Sequence, residues 1–263
     1  MTILDFTAAA REIADTAKAN HAQAAKHRRS ALSYGKGNAK LHAGIATFSL
    51  PAGYSCPQAR DCLARANRAS GKITDGKHTQ FRCFAASQEA TYPSVRKARW
   101  ANFEALASCG RNFHELAGLI GPTLPAEGII RIHVSGDFYC QEYFDAWVHV
   151  ASKVPEKIFY AYTKSLGFWV ARLGEIPPNL KLTASRGGYE DALIDSHPLK
   201  CAEVVFSEAE AAEKGLPIDH DDTHAYLQDE SFALLLHGVQ PKGSLAALAL
   251  KTLKGRGSYR RSR

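Results

Sequence analysis

Three cysteines, Cys56, Cys62 and Cys83, follow the apolar run at residues 45–50 in a stretch punctuated by Gly and Pro. Thiolates are soft ligands that suit zinc or iron–sulfur clusters. Structural zinc sites draw on close cysteine pairs and four protein ligands. Here five residues separate Cys56 from Cys62 and twenty separate Cys62 from Cys83. His78 offers a fourth ligand, although a loop histidine is more often simply solvated. Three thiolates on a cluster leave one iron open to substrate or cofactor. The pattern points to a metal centre with an open position, set against the plainer reading of buried thiols. Cys109, Cys140 and Cys201 fall on helical or strand patterns and read as core thiols.

Two further groups of residues carry chemistry. Ser135-Gly136-Asp137, Thr163-Lys164-Ser165, Ser185-Arg186-Gly187-Gly188 and Ser207-Glu208 each close an apolar run. In parallel α/β architectures the loops at the C-terminal strand ends build the site. Asp137, Lys164 and Arg186 are therefore expected to face the cysteine loop across one mouth. Helix capping accounts for the Ser and Asp residues equally well, but not for Lys164 or Arg186. Lys164, Ser185 and Arg186 are expected to bind an anionic group, Arg186 being suited to bidentate contact with phosphate or carboxylate. The run Asp219-His220-Asp221-Asp222-Thr223-His224, with His237 nearby in sequence, has the ligand types of a divalent-metal nuclease. Such a run is more often a solvated loop. No Ser/His/Asp triad stands out, and Gly35-Lys36-Gly37 lacks the flanking pattern of a phosphate loop.

These residues need a scaffold to hold them. Apolar runs at 45–50, 129–134, 158–162, 180–184 and 202–206 read as strands. Helical spacing occupies 143–148, 168–173 and 208–214, and residues 86–119 carry two helices broken near 109–112. The alternation predicts an α/β fold, a parallel sheet with crossover helices. A partial or complete (β/α) barrel is the first expectation and an open doubly wound sheet the second. The chain divides into an N-terminal helix and linker (1–40, the helix over 4–29), an α/β domain (41–250) and a basic tail (251–263). Phe138, Tyr139, Tyr160, Tyr162, Phe168 and Trp169 either line a cavity or fill the core.

At 263 residues the chain can bury a full core. No apolar stretch approaches membrane-spanning length and no signal-peptide core is evident, so a cytoplasmic protein with no membrane partner is expected. In a reducing compartment six cysteines read as ligands or core thiols rather than disulfides. A net charge of +7 favours polyanion partners. Arg60, Arg65, Arg68, Lys72, Lys77, Arg82, Arg96, Lys97 and Arg99 crowd the cysteine region. The tail adds Lys251, Lys254, Arg256, Arg260, Arg261 and Arg263 without an acid, and Tyr259 to stack on a base. An alternative is therefore a nucleic-acid-binding protein with a structural zinc or no metal.

The segments 45–62, 81–100, 132–138, 160–165 and 182–188 resemble the phage family called gene product eighty-eight, a likeness that names no reaction. At superfamily level, a strand, a cysteine loop, a helix and a strand ending in Ser-Gly-acid are similar to radical S-adenosylmethionine enzymes. That resemblance implies a four-iron cluster on three cysteines after the first strand, and a turn after the second strand that binds the methionyl amine. It assigns Cys56, Cys62 and Cys83 as cluster ligands and Ser135, Gly136 and Asp137 as cofactor-binding residues. The chain departs from the pattern in its wider cysteine spacing and in Asp137 standing for Glu. An iron–sulfur enzyme of this type, acting on a nucleotide or nucleic acid, is the leading expectation.

Overall fold

Six apolar runs form parallel strands in the computed structural model, which describes residues 32–37, 41 and 44–253. They are β2 (Ile45–Ser49), β5 (Ile129–Ser135), β6 (Ile158–Thr163), β7 (Leu180–Ser185), β8 (Cys201–Val205) and β9 (Phe232–Leu235). A short antiparallel strand, β1 (Gly35–Lys36), pairs with β2, giving the order β1-β2-β5-β6-β7-β8-β9. From β2 onward the strands lie in chain order without reversal. Right-handed crossovers in such an order put most of their helices on one face, whereas a doubly wound sheet reverses its order at a switch point. The sheet is singly wound, like the wall of a barrel, and among the described strands it stays open. The helix expected over 4–29 and tail residues 254–263 lie outside the described residues.

Alternation along the strands separates two faces. Phe48, Ile130, Ile132, Phe159, Ala161, Leu182 and Ala184 point to the larger core. There they meet α3 (Phe113–Ile120) and α4 (Gln141–Lys153), whose Leu116, Tyr143, Phe144 and Trp147 are fully buried. Burying each such side chain stabilises the fold by about 1.5–3 kcal/mol. The opposite face carries Ile45, Tyr160, Ala202 and Phe232 beneath Ala225 of α8 (Thr223–Leu227). Of the aromatics expected in cavity or core, Phe138 and Trp169 belong to the larger core, with Tyr139 and Phe168 packed against it.

Three local features differ from the sequence reading. Residues 84–120 form three helices, because Pro93 opens a new one: α1 (Phe84–Thr91) ends, Tyr92 is extended (φ −118°), and α2 (Pro93–Ala107) begins. Proline lacks the amide that would continue α1 and is suited to a first helical turn. The cysteine stretch contains a hairpin, β3 (Ala64–Ala66) with β4 (Ile73–Asp75). The sixth parallel strand, β9, occupies the run considered as a ligand source around His237. The remaining helices are α5 (Leu166–Val170), α6 (Ala192–Ser196), α7 (Glu208–Glu213) and α9 (Leu245–Thr252).

Strand β5 bulges before its end. Thr47 pairs with Arg131 but Ser49 with Ser135, so β5 spends two extra residues. His133 sits in the bulge with φ +66°, a conformation uncommon outside Gly and Asn. Its ring packs against Phe138, and its Nε2 lies 3.0 Å from the Tyr143 hydroxyl. Burial pushes its pKa down to about 3. The unfolded chain therefore binds one more proton below about pH 6.5, and stability is lost as pH falls toward 3. Asp137, pushed up to about 6 by burial, acts in the opposite sense between its ordinary pKa and 6. Chemical unfolding across pH 3–7 should show His133→Asn gaining on the parent by up to roughly 5 kcal/mol at the acid end. Parallel profiles would contradict it.

Candidate metal centre at the sheet mouth

The loop leaving β2 carries Cys56 and Cys62, and Cys83 is the N-cap of α1. The loop is fastened across the sheet to the turn leaving β7. The amides of Arg60 and Asp61 donate to Gly187 O (3.3 and 2.9 Å), Tyr189 N donates to Gln58 O (3.0 Å), and Ala59 bridges Gly188. Gly187 has φ +99°, and a Cβ on Gly188 would stand 3.0 Å from Gln58 O and 3.2 Å from Lys164 Cβ. The Gly-Gly pair lets two loops approach closely.

This docking brings Cys56, Cys62 and Cys83 near enough to act on one another electrostatically. Burial is the main influence and pushes all three thiols up, Cys83 to about 11. Asp137 adds to the rise at Cys56 and Cys62. Each sulfur also has a neighbour that favours its thiolate. Gly53 N–H donates to Cys56 Sγ (3.3 Å), the Lys164 ammonium acts on Cys62, and the Ala85 and Ala86 amides with Arg99 act on Cys83. Positive neighbours and helix N-termini lower thiol pKa values in this way. Cysteine sulfurs are the donor type a soft metal takes, and a bound cation would favour the thiolates over the neutral thiols that burial prefers. Among the described residues no three His, Cys, Asp or Glu side chains stand gathered as metal ligands. His78 is exposed on the turn after β4.

The strand-end residues converge on the same mouth. Gly136 has φ +89°, and a Cβ there would meet Leu50 Cβ and Ser55 Oγ at 2.6 Å. The turn can therefore lie directly on the loop leaving β2. Asp137 Oδ1 accepts from Phe138 N (2.8 Å) and Thr163 Oγ1 (2.6 Å), and Oδ2 accepts from Lys164 N (2.8 Å). A carboxylate offers about four acceptor sites, so one remains on Oδ2. Lys164 Nζ donates to Ser185 O (2.7 Å), Ser185 Oγ (2.9 Å) and Arg186 O (2.7 Å). Those three bonds use all its protons. Arg186 Nη2 donates to Asp195 Oδ1 (3.0 Å). The expected anion-binding trio thus ties the β6 and β7 ends together, and Lys164 acts on the thiols through its charge.

Glu89 of α1 reads as no site residue in the sequence, yet it joins the loop leaving β2, the end of β5 and α2. Its Oε1 accepts from Ala52 N (2.9 Å), Arg99 Nη1 (2.9 Å) and Ser135 Oγ (3.2 Å), while Oε2 is buried without a hydrogen-bond partner. The available signal was an acid one turn after Ala85 on the apolar face of a helix. Two arginines assigned to a basic surface are buried instead. Arg99 also donates to Ala85 O (2.9 Å), and Arg96 donates to Arg68 O (2.9 Å) and Glu89 O. Arg82 pairs with Asp75 and Arg60 with Asp61.

The Asp219–His224 residues serve separate purposes. Asp222 pairs with Arg131 and accepts from Tyr160 Oη (3.1 Å) and Tyr162 Oη (3.4 Å). Asp221 accepts from Thr223 N (3.1 Å) at the start of α8. Asp219 Oδ1 lies 3.5 Å from His224 Nδ1, an ion pair when the ring is protonated. Cys109, Cys140 and Cys201 are buried free thiols, as expected.

The family model described as Gene product 88 matches residues 13–257. No curated protein and no solved structure matches the chain. The resemblance carried by the strand-end motifs is borne out by this match, and the likeness to radical enzymes receives no support from it. No helix among the described residues is long and apolar enough to cross a membrane.

Proposed function

The chain belongs to the Gene product 88 family, and from that premise we propose that Cys56, Cys62 and Cys83 hold an iron–sulfur cluster. We further propose that the centre serves an enzyme of radical S-adenosylmethionine type acting on a nucleotide or nucleic acid. The observation that supports this reading is the docking of the Cys56–Cys62 loop onto the Gly187-Gly188 turn, with Cys83 at the N-cap of α1, at the C-terminal mouth of a singly wound parallel sheet. Sites in such folds are built at that end.

When bound, a cluster with three protein thiolates supplies an open iron and an exchangeable electron. The chain's residues prepare its seat. Lys164, fixed by three acceptors, offsets negative charge beside Cys62. The remaining acceptor site of Asp137 suits an ammonium group, the chemistry of a methionyl amine. The three cysteines are half-buried, which strengthens these charge effects relative to open solvent.

The test is anaerobic reconstitution with iron and sulfide, then reduction in the presence of S-adenosylmethionine and chromatography of the nucleoside products. A brown protein that cleaves the cofactor supports both parts. A brown protein that leaves it intact supports the cluster and removes the radical reading. A colourless protein with stoichiometric zinc removes both.

A further inference from the structure

The hairpin β3–β4 and helix α2 carry a surface that the metal centre does not use. Arg65 stacks over the Tyr54 ring (5.6 Å to the centroid) and Arg68 over Trp100 (4.9 Å). The two rings meet at 4.9 Å, tilted by 59°, so the four side chains form one contiguous aromatic–cation cluster: Arg65, Tyr54, Trp100, Arg68. Arg65 is held in place by its Nε, which donates to Gly53 O (3.0 Å). Lys97 lies three residues before Trp100 and so on the same side of α2, and Lys72 lies on the hairpin turn with Arg68.

Internal packing explains part of this cluster, since it ties the hairpin to α2. It does not explain why Tyr54 stays 41% exposed among cations. Nor does it explain the charge balance. Glu104 pairs with Arg68, but among the described residues no carboxylate pairs with Arg65, Lys72 or Lys97, and all three are exposed. Planar aromatic and guanidinium groups interleaved with unpaired cations are what single-stranded nucleic acid requires. Unpaired bases stack on the planes while cations follow the phosphates. A duplex would offer phosphates but no free base faces.

We infer that this surface, centred on Tyr54 and Arg65, binds single-stranded nucleic acid. The net charge of +7 complements that partner. The inference needs no metal and stands apart from the cluster reading, so either can fail alone.

The test is a fluorescence-anisotropy titration of the metal-free full chain with a labelled oligothymidine, repeated at several salt concentrations. Duplex DNA and heparin serve as competitors. Tyr54→Phe keeps the ring face and should bind like the parent. Tyr54→Ala and Tyr54→Leu should each weaken binding about tenfold or more, as loss of a stacked base does. Tyr54→Leu keeps apolar bulk, so a loss there reports the ring face rather than folding. The pair Lys72→Ala and Lys97→Ala should flatten the dependence of log K on log salt by about one unit or more. Unchanged binding in Tyr54→Leu overturns the inference, as does duplex or heparin competing as well as single strand.

Discussion

Replacing Cys56, Cys62 or Cys83 singly with Ala should abolish cluster assembly, while Cys109→Ala, Cys140→Ala and Cys201→Ala should assemble it normally. The division follows from placement. The first three thiols line the sheet mouth and act on one another, and the others are buried in or beside the core. Removing one of three thiolates leaves two protein ligands for a cluster that needs a protein anchor on three of its irons. The expected result is near-complete loss of sulfide-to-iron absorption in each mouth variant, with the far-ultraviolet circular dichroism unchanged. A core-thiol variant such as Cys109→Ala should lose a little stability and no colour. Equal metal content across all six variants would show that iron binds elsewhere.

The second large effect belongs to Glu89. Glu89→Ala should destabilise the protein by about 3–5 kcal/mol, the range seen when one partner of a buried ion pair is removed. Arg99 would keep Ala85 O and Gln88 Oε1 as acceptors but lose its counter-charge. The Ala52 amide and the Ser135 hydroxyl would also lose their acceptor. An unsatisfied buried donor costs about 1–3 kcal/mol. In a chain of this size the loss corresponds to a melting temperature lower by roughly 10 °C. Glu89→Gln keeps an acceptor oxygen without the charge and should fall between the two. A Glu89→Ala variant that melts like the parent would mean that the carboxylate does not hold the mouth together.

The fold was legible where apolar runs met small polar strand ends. Residues 129–134, 158–162 and 180–184 are long enough to bury both faces, and they became β5, β6 and β7. Strand β9 was hidden because four residues of Phe-Ala-Leu-Leu beside a histidine carry too short a pattern to separate strand from helix. The break at Pro93 was readable from the residue itself, since proline at a first helical position starts a new helix.

The site was legible in outline only. The position of Cys56 and Cys62 after the first long strand placed them at the mouth, whereas Gly187-Gly188 read only as part of a polar strand end. Its close approach to the cysteine loop is specified by no local pattern. Lys164 looked like a free cation because its three acceptors lie 21 and 22 residues away, two of them backbone carbonyls. Glu89 and Arg99 were obscured in the same way, each reading as an ordinary helix-surface charge until α1 and α2 folded together. Long-range partners of charged groups leave little trace in sequence periodicity, which records burial rather than pairing.

The central claim is that the mouth thiols hold an iron–sulfur cluster. The most direct measurement is iron and acid-labile sulfide per chain after anaerobic reconstitution, made on the parent and on a triple variant with Cys56, Cys62 and Cys83 changed to Ala. About four irons and four sulfides per parent chain, with neither in the triple variant, is the result predicted. A parent chain with no sulfide, or a triple variant that keeps its iron and sulfide, would contradict it.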